Sequence, residues 1–346
     1  MSKNIIKRAS WLDLLFDLIF VFAIAKATHI LAYAHHGNLS IDQYVIFVLV
    51  IVPIWWTWTG HTLFATRFDT HDTTQRVLTL AQMLAVAFWA AFINPDFDPN
   101  YLGYLLFYVI IRILLMLMYW RATRVNPLAS PIAKRLCTGF SVGLVVALLS
   151  LLFEPPIRYF VLYAGITIEI ITPLVSRNIL RTVPVSNHHL PERYGLLTII
   201  LLGESVIMIS STLSEIQWID FTVGAAISGF LIMASFWWLY FDLMEKTLPG
   251  EKMDTGQHFI YGHLFIYMGL SICAVFIGFT ISPELSFNSH FALITIGFAS
   301  LLFGLVVSFS INALIKRKYL FLYFLFFGAI STSLIINSIA SANHQS

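Results

Sequence analysis

The sequence predicts an all-α polytopic membrane protein with about eleven transmembrane helices. Three observations carry that prediction. The 346 residues are 58% hydrophobic and only 11% charged, against about 25% charged in a soluble domain. The mean hydropathy is +0.81. The apolar residues gather in runs of about 20, the length that crosses a bilayer as a helix. A water-soluble fold cannot hide this much apolar surface, so the lipid bilayer is the expected solvent.

The runs cover 10–34, 42–66, 73–94, 101–121, 132–153, 157–176, 193–213, 219–242, 256–281, 290–313 and 318–340. Short connectors rich in helix breakers separate them: His36–Asn38, Asn94–Asn100 and Pro155–Pro156 are examples. Trp11–Ala34 is read as a retained first span. MSKNIIKR resembles the basic start of a signal peptide, but Asp13 and Asp17 interrupt what would be its apolar core.

Basic residues orient the spans. With Lys3, Lys7 and Arg8 in the cytoplasm, the inner connectors also carry Arg67, Arg76, Arg121, Arg124, Lys134, Arg135, Arg177, Arg181 and Arg193. Of the 20 basic residues, only Arg158 falls outside, and only Lys26 and Arg112 fall within spans. The expected site is therefore the cell inner membrane, multi-pass, with the N-terminus cytoplasmic.

A parallel internal repeat is also expected. Trp55-Trp56 in the second span recurs 182 residues later as Trp237-Trp238 in the eighth. Six spans separate the copies, so they share orientation. The expected organisation is a first half at 1–156, a linking span and connector at 157–192, and a second half at 193–346.

The net charge of +2 has no basic stripe behind it, which argues against a nucleic-acid partner. Two isolated cysteines, Cys137 and Cys273, form no CxxC. There is no HExxH, GxSxG or GxxxxGK[ST]. No enzyme activity, cofactor or metal is expected. Adjacent His188 and His189 point apart, which disfavours zinc.

The candidate functional residues are ionisable groups placed where hydrocarbon penalises charge by about 3 kcal/mol or more. Asp13 and Asp17 lie four apart, on one face of the first span. Two carboxylates that close need a cation, a shared proton or several donors. Asp17 lies about 13 Å along the axis from Arg8. Glu204 lies about 16 Å beyond Arg193, taken as the last interfacial charge, beside Gly203. Glu169 and Arg112 are also near mid-depth. Arg112 must meet a carboxylate, and the sequence leaves Asp17, Glu169 and Glu204 open. Asp17, Glu204, Arg112 and Glu169 therefore form the candidate substrate- or ion-binding set. Asp13, Arg67, Asp69, Arg76, Glu192 and Arg193 form a candidate cytoplasmic charge network. His61, His258 and His263 are candidate proton relays. Each group also has a structural reading: a closed ion pair, a helix cap, or a hydrogen-bonded core histidine. Lys26 and His29 share a face near the outer end of the first span, and Lys26 is expected to snorkel to the outer interface.

Four stretches carry a resemblance. WLDLLFDLIFVFAIAKATH is similar to W-x-[DE]-L-F-F-D-L-V-F-V-x-A. Glu192-Arg193-Tyr194-Gly195-Leu196-Leu197-Thr198-Ile199 through Gly203-Glu204-Ser205 is similar to E-R-x-G-L-F-x-I-x-x-L-G-E. Arg67-Phe68-Asp69-Thr70-His71-Asp72 and Trp237-Trp238-Leu239-Tyr240-Phe241-Asp242 supply two further blocks. These resemble the bacterial low temperature requirement A (LtrA) family, with Leu15 and Leu197 where Phe is usual. The resemblance implies a polytopic membrane protein. It marks Asp13, Asp17, Arg67, Asp69, Glu192, Arg193 and Glu204 as motif positions and supplies no substrate. Two functions are expected: an ion- or proton-coupled transporter of an unknown small solute or ion, or a non-transporting sensor or structural protein held by the cytoplasmic charge network.

Overall fold

The structure, a computed structural model, describes residues 9–68, 70, 72–95, 97–216, 218–247 and 253–309. Every extended regular element among them is helical. In chain order they are α1 (Trp11–His29), α2 (Ile41–Phe68), α3 (Thr73–Ala91), α4 (Tyr101–Val125), α5 (Ser130–Leu149), α6 (Ile157–Val175), the single turn α7 (Arg177–Leu180), α8 (His189–Glu215), α9 (Asp220–Thr247), α10 (Gln257–Ile281) and α11 (Phe287–Phe309). The ten long helices coincide with the first ten predicted runs. The eleventh run, 318–340, lies outside the described residues.

Eight of these helices are long and apolar enough to cross a membrane. The other two long ones, α1 and α3, are diluted by polar residues. In α1 these are Asp13, Asp17 and Lys26; in α3 they are the opening TTQR and Gln82.

Local sequence explains the helix ends. Ser10 and Asp13 make a reciprocal cap at the start of α1: the Ser10 N–H donates to Asp13 at 2.9 Å, and the Asp13 N–H donates to the Ser10 hydroxyl at 3.2 Å. Asp72 caps α3, accepting the Gln75 N–H at 2.9 Å. It also accepts from the Thr70 hydroxyl and pairs with Arg121. The Thr70 hydroxyl, then the Gln75 N–H and Arg121, hold the Asp72 carboxyl well below the usual carboxylate range. Between α1 and α2 the chain reverses at His36 (φ 49°) and Gly37 (φ 75°), closed by paired His35–Asn38 backbone bonds.

The described residues form two compact units. One is built from α3 to α7, with the first half of α1, the C-terminal part of α2 and the opening turn of α8. In it α3, α4, α5 and α6 pack successively. The tightest approach is between α5 and α6. A Cβ on Gly143 would lie 2.6 Å from the Gly165 carbonyl oxygen, and one on Gly165 would lie 2.4 Å from that of Gly143. Such small-residue contacts let membrane helices approach where no hydrophobic driving force separates protein from lipid.

The other unit comprises the rest of α1, α2 and α8, together with α9, nearly all of α10, and α11. Here α10 is buried on almost every face, as expected for a helix that is apolar all round. The α10–α11 crossing again uses small residues: a Cβ on Gly269 would lie 2.7 Å from the Gly297 carbonyl oxygen.

Candidate functional site

The first unit contains two buried ion pairs. In one, Arg193 from the opening turn of α8 meets both aspartates of α1. Its Nη2 lies 2.6 Å from Asp17 Oδ1, its Nε donates to Asp17 Oδ2 at 3.3 Å, and its Nη1 bonds Asp13 Oδ1. The guanidinium thus forks onto Asp17 through Nε and Nη2 and reaches Asp13 through Nη1, bridging the i, i+4 carboxylates. Arg193 and Asp17 are fully buried and Asp13 nearly so.

Neighbouring groups complete the shell. The Trp58 indole N–H donates to Asp17 Oδ1 at 2.7 Å. The Trp58 and Phe16 rings lie 5.8 and 6.0 Å from the guanidinium carbon, inside the range of cation–π attraction. His189 Nε2 is 3.7 Å from Asp13 Oδ2. Its Nδ1 is 3.2 Å from the Thr66 hydroxyl. Among the described residues, two carboxylates face one guanidinium. A neutral His189 leaves one negative charge in excess; a proton on His189, or shared by the aspartates, cancels it.

In the second pair, Arg112 of α4 meets Glu169 of α6, with Nη2 and Oε2 2.5 Å apart and both side chains fully buried. The Tyr108 hydroxyl, one turn before Arg112, donates to the same Oε2 at 2.9 Å. Phe140 and Trp56 lie 4.5 and 5.8 Å from the guanidinium carbon. Arg112 Nε and Nη1 have no hydrogen-bond acceptor among the described residues. Gly143 makes room for the acid: a Cβ there would sit 2.4 Å from Glu169 Cγ. Of the three partners that the sequence left open for Arg112, the structure selects Glu169, and Asp17 has its own arginine.

The remaining predicted residues are placed as follows. Glu204 is buried in α8, in the second unit, and has no hydrogen-bond or ion-pair partner among the described residues. Glu192 accepts the Ala9 N–H at 3.0 Å. Arg67 donates to main-chain carbonyls, Val183 at 3.1 Å and Leu63 at 3.4 Å, and has no acid partner among the described residues. Arg76 is exposed, and Asp69 lies outside the described residues.

His61 stacks on Phe16 at 3.9 Å, and its Nδ1 is 2.8 Å from Gln82 Oε1. Gln82 donates its amide to the Ile111 carbonyl, so its oxygen faces His61 as acceptor. His263 is enclosed by Tyr194, Tyr240, Phe259 and Tyr267. Its Nδ1 lies 2.6 Å from the Phe259 carbonyl and its Nε2 2.8 Å from the Tyr240 hydroxyl. The carbonyl can only accept, so Nδ1 carries the proton and Nε2 accepts from Tyr240. His258 is exposed, as are Lys26 and His29. No group of three metal-ligating side chains gathers among the described residues.

Sequence reasoning took Arg193 as an interfacial charge ahead of its span. It is instead inside α8 and fully buried, because Pro191 starts the helix early: proline fits a first helical turn, where its missing N–H costs nothing. The depth of Glu204 reckoned from Arg193 as the interface loses its reference point. Trp58 and Tyr108 are not among the sequence candidates, and His189 enters there only as a zinc ligand. Tyr108 was findable, since it stands four residues before Arg112 on the same helical face.

The chain is 26% identical over 307 residues to the uncharacterized protein RA0937 of Rhizobium meliloti (strain 1021), covering 84% of this chain and 74% of that one. The family model described as "Bacterial low temperature requirement A protein (LtrA)" matches residues 8–344, nearly the whole chain, and the chain belongs to that family.

Proposed function

We propose that this protein is an ion- or proton-coupled permease of the inner membrane for a small solute or ion. In this reading it has eleven spans, a cytoplasmic N-terminus and two parallel repeat halves. The observation that carries it is the uneven charge of the Asp13–Asp17–Arg193 cluster. Two buried acids share one guanidinium, so a single proton decides whether the cluster is neutral. Charge imbalance in a low dielectric is costly, and uptake of a proton or cation removes it. Glu204, buried with no partner among the described residues, is a second acid able to bind a cation or proton. Arg112 is the expected counter-charge, but Glu169 already matches it, so in this reading the pair stands beside the pathway as a self-neutralised ion pair.

The test is flux in proteoliposomes under an imposed pH or sodium gradient, comparing wild type with Asp17→Asn and Glu204→Gln. Gradient-driven uptake by wild type and its loss in either variant are expected. Equal, absent flux in all three across a broad panel of solutes overturns the proposal.

One observation favours the second reading, a non-transporting sensor or structural protein. Each buried arginine has its own acid, so the two pairs resemble closed locks. That reading expects Arg193→Ala to lower detergent stability while no solute raises the melting temperature of wild type. A stabilising solute would count against it.

A further inference from the structure

The first unit carries a groove of about 650 Å³ between α4 and α5. Its walls are apolar, with Ile113, Leu117 and Cys137 among them, and its lining includes Trp120, Arg124 and Lys134. The two basic residues follow the apolar run of α4 and open α5, so they meet at the same end of the groove. Ile113, Leu117 and Trp120 are exposed, so the groove opens outward, toward lipid.

The two cations that line the groove have no acidic partner among the described residues. Arg121, one turn before Val125, is engaged by Asp72. Arg124 stacks on Trp120 at 5.1 Å and makes no ion pair among the described residues. Lys134 likewise has no acidic partner among them. An apolar trough ending in two unmatched cations and an indole is complementary to one kind of molecule: an acyl chain bearing an anionic head. Basic pockets between membrane helices recognise lipid phosphates in this way, and Trp sits at headgroup level.

We infer that this groove is a binding site for an anionic phospholipid, with one acyl chain along Ile113 and Leu117 and the phosphate held by Arg124 and Lys134. The site does not depend on the transport reading. On the orientation proposed above, it draws its lipid from the cytoplasmic leaflet.

Native mass spectrometry of the delipidated full-length chain tests the site. It would be titrated with phosphatidylglycerol and with phosphatidylcholine of identical acyl chains. One phosphatidylglycerol should be retained at concentrations at least tenfold below those needed for phosphatidylcholine. The Arg124→Gln/Lys134→Gln double variant should lose that preference; both side chains are exposed, so packing is kept. Cys137 offers a second readout. It is half-buried in the groove, whereas Cys273 is buried. Phosphatidylglycerol should slow maleimide labelling of Cys137 several-fold in wild type and not in the double variant, and inorganic phosphate should not slow it. Equal retention of the two lipids, undiminished preference in the variant, or unslowed labelling with lipid bound would each overturn the inference.

Discussion

Arg112 and Glu169 invite a double-mutant cycle whose outcome the structure makes asymmetric. Removing one partner of a buried pair costs about 3–5 kcal/mol, whereas replacing both by apolar groups is often neutral. The two single changes are not equivalent here. In Arg112→Met the stranded Glu169 keeps its bond from the Tyr108 hydroxyl, and a carboxyl in an apolar site is neutralised by taking a proton. In Glu169→Leu the guanidinium cannot shed its charge. It is left with the Phe140 and Trp56 rings, each worth about 0.5–2 kcal/mol, and with Nε and Nη1 already lacking acceptors among the described residues.

The expected order is therefore Glu169→Leu most destabilised, at or above the upper figure, and Arg112→Met near the lower. The double variant should fall closer to wild type than Glu169→Leu. Equilibrium unfolding in mixed micelles, read by tryptophan fluorescence, gives the three differences. A double variant less stable than both singles, or Arg112→Met more damaging than Glu169→Leu, would refute the reasoning.

Other changes follow the same physics. Gly143→Ala should push against Glu169 Cγ and the Gly165 carbonyl and cost about 1–3 kcal/mol or more. A drop in melting temperature checks this, and Ala at the open position Gly203 serves as the neutral control. Tyr240→Phe removes the donor to His263 Nε2 and leaves a buried acceptor, costing about 1–3 kcal/mol, read as a drop in melting temperature. Asp72 has its folded pKa depressed, so its contribution is present above the usual carboxylate pKa of about 3.9 and is lost as pH falls through the folded value. Asp72→Asn should flatten the acid limb of a stability–pH profile; an unchanged limb contradicts the assignment.

Much of this fold was legible because membrane helices announce themselves by length and composition. Ten predicted runs align with ten long helices, and errors concentrate at their ends. α2 was expected at 42–66 and runs Ile41–Phe68; α8 starts at His189 rather than near Arg193. That second difference mattered, because it turned an apparent loop charge into the central buried cation of the site. The pairing of charges was legible only as a need. Arg112 required an acid, but choosing Glu169 depends on how α4 and α6 are brought together beside α5, and no single-helix pattern encodes a distance between helices. Histidine roles were illegible for a related reason: Gln82 and the Phe259 carbonyl reach His61 and His263 through tertiary packing or the helical turn, and sequence does not separate these from a relay.

Trp56 and Trp58 stand two residues apart on α2, hence about 200° apart around its axis at about 100° per residue. One faces Arg112 and the other bonds Asp17. The same shaft thus carries one tooth into each charged pair. A twist of α2 that withdraws Trp58 from Asp17 must also swing Trp56 across Arg112. The two pairs therefore share one rigid support, a helix that bears no charge between Asp42 and Arg67 apart from whatever His61 carries.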